Sequence, residues 1–164
     1  MKKILMALMV ILPLHLFAMQ VADYPADWKS YSKVNTKLAQ MGFLPDCKAS
    51  KAGLDEIFAE TVNTYCGVAE KGPGRVEVLV NNITEFENKN GKYSNNTNFI
   101  LHLIDMKLLF VTSYADGKIR YGVYTEEGKM VKGKRKSGLH PRDCRSCHNL
   151  YKDDCYYGQC GNLK

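Results

Sequence analysis

Two cysteines and a histidine near the C-terminus have the types and the spacing needed to hold an iron cofactor. They form the motif Cys144-x-x-Cys147-His148, which is the spacing that attaches a c-type haem. Two thiols three residues apart reach the two vinyl groups of one porphyrin, and the adjacent imidazole becomes the proximal iron ligand. The motif therefore predicts one covalently bound haem c, attached through Cys144 and Cys147, with His148 as the metal ligand.

Three other interpretations of this motif remain open. The first is a non-haem, disulfide-bonded interaction domain, since a cysteine-rich exported chain pairs its thiols for stability. The second is a zinc site built from Cys144, Cys147, Cys155 and Cys160, because four thiolates suit tetrahedral zinc. The third is a thioredoxin-like redox pair, which would need a strand–helix unit around it. The sequence before Cys144 does not show that pattern.

Residues 1–18 have the character of a cleaved secretory signal peptide. Lys2 and Lys3 are followed by an apolar run over residues 4–14, and the segment ends on the small residue Ala18. The apolar run is shorter than the roughly 20 residues that a membrane span needs. We expect export to the periplasm, where cysteines are oxidised.

The cysteines outside the motif are even in number, as a disulfide framework requires. They are Cys47, Cys66, Cys155 and Cys160, and four cysteines allow three connectivities. The local pairs Cys47–Cys66 and Cys155–Cys160 are the preferred pairing.

The first part of the chain has helical periodicity. A first helix is predicted to begin near Pro25 and to end at Gly42, on the apolar spacing of Trp28, Tyr31, Val34, Leu38 and Met41. A second helix is predicted from about Ser50 to Cys66, so that Cys47 and Cys66 flank it.

From residue 76 onward the pattern changes to alternation of apolar and polar residues. Strands are predicted over residues 76–80, 99–104, 108–114 and 118–124, with a tight hairpin at Asp116-Gly117 and a loop over residues 88–98. The predicted fold class is α+β, with two N-terminal helices, an antiparallel sheet of about four strands and a C-terminal haem-binding segment. Residues 19–164 are predicted to form this single domain.

The order of these features resembles the periplasmic cytochrome P-460 and beta-sheet cytochrome c-prime family. The resemblance covers the entry at residues 24–31, the valine-rich strand at 74–80, the tyrosine-rich hairpin at 119–124 and the haem motif with residues 153–157 after it. It implies a mainly antiparallel sheet, a homodimer and a five-coordinate haem that is open on its distal face.

The resemblance also implies a small nitrogen compound as ligand. Hydroxylamine-oxidising members carry a lysine on the valine-rich strand that cross-links to the haem, and the position aligned with it here is Leu79. The beta-sheet cytochrome c-prime type, which binds nitric oxide behind apolar side chains, is then the nearer relative. Whether the protein turns over nitric oxide or hydroxylamine, or serves only in ligand binding or electron transfer, stays open.

A sixth iron ligand would convert a gas-binding haem into an electron-transfer cytochrome c. The candidates for that ligand are His102, His140, Met106 and Met130. An isolated histidine or methionine is most often structural, so an open distal position is the leading prediction and the six-coordinate electron carrier is the alternative.

The composition is that of a globular protein, with 45% apolar and 24% charged residues in 164. The formal net charge is +6, much of it from the run at residues 132–136, which predicts a solvated loop, a docking site for an acidic redox partner protein, or counter-charges for the haem propionates. Such mild basicity gives no indication of nucleic acid binding.

Overall fold

The fold is α+β, built on a five-stranded antiparallel sheet. The computed structural model describes residues 21–68, 74–88, 93–151, 155–156 and 159–160, so the predicted signal peptide at residues 1–18 lies outside the described residues. The strands are β1 (Ser32–Lys33), β2 (Val76–Val80), β3 (Asn98–Leu103), β4 (Leu108–Ala115) and β5 (Lys118–Thr125). Their order in the sheet is their order in the chain, and each pair is antiparallel.

The helices found in the described residues are short. They are α1 (Lys37–Met41), α2 (Glu56–Cys66), α3 (Ile83–Asn88) and α4 (Pro141–Leu150), and 3₁₀ turns lie at Trp28–Ser30 and Ile104–Met106. After α4, strands β6 (Cys155–Tyr156) and β7 (Gln159–Cys160) pair with each other. No helix in the described parts of the chain is long and apolar enough to cross a membrane.

The two faces of the sheet have different coverings. Side chains alternate between faces along each strand, and the antiparallel register places Val78, Leu101, Phe110 and Val123 on one face. Helix α2 packs against this face. The other face, which includes Leu79, is covered by the N-terminal segment with Trp28.

The predicted first helix is wrong over most of its length. The structure has a 3₁₀ turn at Trp28–Ser30, then β1, and only Lys37–Met41 is α-helical. Ser32 and Lys33 pair with Val80 and Leu79 at the edge of the sheet, and Trp28 is buried against the sheet face rather than in a helix interface. The long-range strand pairing therefore overrides the local helical spacing.

The second predicted helix ends where expected but begins later, at Glu56 instead of Ser50. Cys47 and Cys66 form a disulfide, with Cα atoms 5.5 Å apart, as predicted. Cys155 and Cys160 are register partners in the small β6–β7 ladder. The backbone thus places these two cysteines opposite each other, and the preferred Cys155–Cys160 pairing stays a prediction.

The four predicted strands match β2 to β5 within one residue at each end. The sheet gains a fifth member, the two-residue edge strand β1, which the alternation did not indicate. The segment before the predicted loop also contains α3, which begins after Asn82, whose side chain accepts a hydrogen bond from the Glu85 amide.

Candidate functional site

The cysteine–histidine motif lies on helix α4, whose start is well specified by its sequence. Pro141 occupies the first turn, where a missing amide hydrogen costs nothing. The Nδ1 atom of His140, the N-cap, accepts a hydrogen bond from the Arg142 amide at 3.1 Å, and the carboxylate of Asp143 in the first turn favours the positive end of the helix dipole. A helix at this position was not predicted from the sequence.

The helix brings the three motif residues onto one side. Cys144, Cys147 and His148 are spaced i, i+3 and i+4, which is one face of an α-helix. All three line the same cavity, whose volume is about 510 Å³. Cavities of roughly 300–1,000 Å³ hold cofactor-sized ligands in proteins. The structure therefore brings together every residue that the sequence assigned to haem attachment.

The cavity is walled by α4, by α2 and by one face of the sheet. Apolar and aromatic side chains dominate it, among them Ile57, Tyr65, Val78, Leu101, Phe110 and Tyr121. The sheet residues in this set alternate with residues that point to the other face. The wall that faces the motif helix is therefore largely apolar. Its polar members are Thr36, Glu60, Thr61 and Thr64 before and on α2, and Thr112 on β4.

Burial determines the protonation of the motif side chains. It raises the pKa of the Cys144 thiol to about 12 and also raises the pKa of the Cys147 thiol. It lowers the pKa of His148 to about 4. Both thiols are therefore neutral at pH 7, whereas a thioredoxin-like redox pair needs a depressed thiol pKa. This electrostatic environment disfavours the redox-pair interpretation.

Two tyrosines flank the motif. The rings of Tyr121 and His148 lie with centroids 4.9 Å apart and an interplanar angle of 37°, so the β5 side chain orients the imidazole. Tyr65 makes an edge-to-face contact with Phe110 at 5.2 Å. Burial raises the pKa of Tyr121 to about 12 and raises that of Tyr65 as well. Their sequence alternation and helical spacing indicated core positions, but not contact with the motif.

Arg135 and Lys136 bring positive charge to the cavity wall. The guanidinium of Arg135 forms an ion pair with the Asp143 carboxylate at 2.8 Å, which fastens the loop to α4. On the other side the loop packs on α2, because Gly138 has φ +74° and a Cβ there would collide with Thr64. The basic run predicted as a solvated loop is thus fixed between two helices.

His102, one candidate for the sixth ligand, lies on the opposite face of the sheet from the cavity. Its Nδ1 atom is 2.8 Å from a Glu77 carboxylate oxygen, and its Nε2 atom is 2.8 Å from a Glu126 carboxylate oxygen. The Trp28 ring packs edge-on against it at 4.9 Å. Both ring nitrogens are thus engaged by carboxylates, away from the cavity.

The other three candidates also lie outside the set of residues that line the cavity. Met106 packs against the cluster beneath α2. Met130 is 39% exposed and its backbone pairs with Tyr124, and His140 caps α4. The cavity walls that the structure describes therefore contain none of the four proposed sixth ligands.

Leu79, which the sequence resemblance aligns with the cross-linking lysine of hydroxylamine-oxidising cytochromes, also points away from the cavity. It is 3% exposed and packs with Trp28 on the far face. Its neighbour Val78 lines the cavity instead. Strand β2 contains no lysine at any position, so the absence of a cross-linking amine from this strand does not depend on the exact alignment.

Among the described residues, no group of three or more His, Cys, Asp or Glu side chains is arranged to hold a metal ion. The four-thiolate zinc interpretation depends on Cys155 and Cys160, whose side chains lie outside that description. Comparison of the chain with protein-family models, with curated proteins and with solved structures finds no match.

Proposed function

We propose that this chain is a periplasmic monohaem c-type cytochrome whose five-coordinate haem binds nitric oxide or a related small nitrogen species. Cys144 and Cys147 form the two thioethers, and His148 is the axial ligand. The family proposed for it is the cytochrome P-460 and beta-sheet cytochrome c-prime group. The observation that supports this best is the presence of all three residues on one helix face, lining one cavity of about 510 Å³.

The residues around the cavity fit a haem in three respects. The walls offer apolar and aromatic side chains to a flat apolar macrocycle. Arg135 and Lys136 offer positive charge to its two carboxylates. Both thiols are neutral, and neither Cys144 nor Cys147 takes part in a disulfide among the described cysteines.

A bound haem supplies an iron with an open coordination position and two accessible oxidation states. The chain's own side chains determine what that position meets. Tyr121 orients His148 by ring contact. Phe110 and Leu101 present apolar surface from the sheet, which excludes water and favours small uncharged ligands such as nitric oxide. The absence of the four candidate sixth ligands from these walls favours ligand binding over a six-coordinate electron carrier.

The visible spectrum of the purified protein, oxidised and reduced, tests the proposal. We expect a high-spin ferrous spectrum that shifts when nitric oxide or carbon monoxide is added. A low-spin spectrum that ignores both gases would favour the electron-transfer alternative. The lack of any Soret band would exclude both haem interpretations and leave the disulfide-bonded interaction domain.

Covalent attachment is tested by substitution of the motif thiols. The variant with Cys144→Ala and Cys147→Ala should lose haem that survives denaturing electrophoresis. The matched control carries Cys47→Ala and Cys66→Ala, which also removes two cysteines but leaves the motif intact, and it should retain covalent haem. Retention of covalent haem by the motif variant would refute the attachment.

A further inference from the structure

We infer that the segment around the motif forms a docking face for an acidic protein that exchanges electrons with the site. The basic face consists of the six cations at Lys132, Lys134, Arg135, Lys136, Arg142 and Arg145. The electron-exchange part of this inference rests on the proposed function, whereas the binding part does not.

Charge is concentrated in this segment to an unusual degree. Residues 132–148 contain six Lys and Arg residues and one acid, Asp143, while the whole chain has a formal net charge of only +6. The rest of the chain is therefore close to electrically neutral. Asp143 offsets only one of these cations, because its carboxylate is paired with Arg135, so the segment keeps a formal charge of 6 − 1 = +5. Such asymmetry steers an oppositely charged partner to one side of a protein.

The cations share one region of the surface because the loop and α4 are joined. The ion pair between Arg135 and Asp143 connects the loop to the first turn of the helix. On α4, Arg142 and Arg145 are exposed, whereas Cys144 and Cys147 line the cavity. The basic face thus lies on the outside of the same helix whose inner side carries the thiols. A partner bound there stands directly beside the site.

The face is also preorganised. The Ser137 amide donates to the Lys134 carbonyl at 3.1 Å, and Arg145 donates to the Ile119 carbonyl at 3.2 Å. Gly138 allows the loop to approach Thr64 on α2 closely. A loop held at both ends loses little conformational entropy when a partner binds. Lysine and arginine on a fixed frame suit the scattered carboxylates of an acidic protein surface.

The test compares two double charge reversals with the same change in net charge. The first, Lys134→Glu with Arg142→Glu, alters the basic face at two exposed residues that do not line the cavity. The control, Lys48→Glu with Lys107→Glu, alters two exposed lysines in other loops. At about 0.1 M ionic strength the Debye length is about 10 Å, so only nearby charges contribute strongly.

The first measurement is the affinity of the protein as purified for labelled poly-L-glutamate, an acidic polypeptide whose binding needs neither redox chemistry nor a bound haem. We expect the basic-face variant to bind roughly tenfold more weakly than the parent, and the control to change by less than about twofold. Equal losses in both variants would overturn the docking face. Preferential binding to phosphatidylserine vesicles, with polyglutamate affinity unchanged in the basic-face variant, would also overturn it.

The second measurement is the rate at which one electron passes from the reduced protein to an oxidant. Hexacyanoferrate(III), an anion, becomes hexacyanoferrate(II), and tris(phenanthroline)cobalt(III), a cation, becomes the cobalt(II) complex. In the basic-face variant we expect a slower reaction with the anion and a faster one with the cation. Identical rate ratios in variant and control would refute electron exchange at this face. The absence of a Soret band would refute the proposed function instead, while the polyglutamate measurement still decides on the surface.

Discussion

The substitution His102→Phe separates the two roles that the sequence left open for this histidine. If His102 stabilises the fold from the far face of the sheet, the substitution lowers the free energy of unfolding and leaves the haem spectrum unchanged. If it were the sixth iron ligand, the substitution would change the spin state and hence the Soret and visible bands.

The magnitude follows from the contacts. The imidazole makes two hydrogen bonds of 2.8 Å to carboxylates, one to Glu77 and one to Glu126. Hydrogen bonds to charged groups contribute roughly 1.5–3 kcal/mol each. Because the two carboxylates keep 18% and 27% of their side-chain exposure, water replaces part of the loss, and we expect about 3 kcal/mol in total.

The assay is urea unfolding followed by far-ultraviolet circular dichroism, with the visible spectrum recorded on the same sample. The matched control is Lys33→Ala. It removes the other partner of Glu77, an ion pair at 2.6 Å whose lysine side chain is 77% exposed, and an exposed pair contributes about 0–1 kcal/mol. A His102→Phe variant that loses less stability than this control, or one with an altered Soret band, would refute the structural role.

Three further predictions concern the pH dependence, the disulfide and the two sides of β2. The pKa of Glu77 is lowered, through hydrogen bonds from Lys33 and His102 that outweigh its desolvation, so its contribution to stability is present above about pH 4.5 and is lost as the pH falls through the folded-state pKa. Urea titrations between about pH 6 and about pH 3 should show a smaller loss for Glu77→Gln than for the parent, and parallel curves would contradict this. Reduction of the Cys47–Cys66 bridge, whose cysteines are 19 residues apart, should lower the free energy of unfolding by about 3 kcal/mol. Chemical denaturation with and without reductant measures this difference in stability. An unchanged unfolding midpoint would contradict the prediction. Val78→Lys should perturb the haem spectrum because Val78 lines the cavity, whereas Leu79→Lys should lower stability alone, and the reverse pattern would show that the faces are assigned wrongly.

Alternation identified the strands well because their partners are close in the chain. The hairpin at Asp116-Gly117 joins β4 and β5 directly, and both turn residues adopt positive φ, 53° and 67°. The pattern of apolar and polar residues in these strands is therefore reinforced by the contacts nearest to them. The predicted bounds differ from β4 and β5 by one residue at their C-terminal ends.

The N-terminal segment was not predictable in the same way. Trp28 and Tyr31 have helical spacing, yet their surroundings come from the far face of the sheet, where both pack beside Leu79. The Tyr24 hydroxyl and the Trp28 indole donate to the Glu126 carbonyl, about a hundred residues away in the chain. Local periodicity contains no information about such partners, and long-range contacts overrode it.

The candidate site shows a similar division. Spacing alone identified Cys144, Cys147 and His148, because all three belong to one short motif in the chain. The opposite wall required the sheet register, because Val78, Leu101 and Phe110 meet only when β2, β3 and β4 are paired. Alternation along a strand shows which of its residues share a face of the sheet. It does not show which of the two faces packs against α2.

The division of the sheet into two faces also explains why a sixth ligand was difficult to choose from the sequence. His102 alternates with Leu101 and Leu103, so its side chain must take the face opposite to theirs, and Leu101 lines the cavity. The strand register that gives the cavity its apolar wall therefore also directs His102 to the carboxylates of Glu77 and Glu126. To bring His102 to the cavity would require a one-residue slip of β3, which would turn Leu101 and Leu103 away from α2 and place a polar imidazole among the apolar side chains there. The arrangement that stabilises the sheet is thus the one that leaves the face opposite the motif helix apolar.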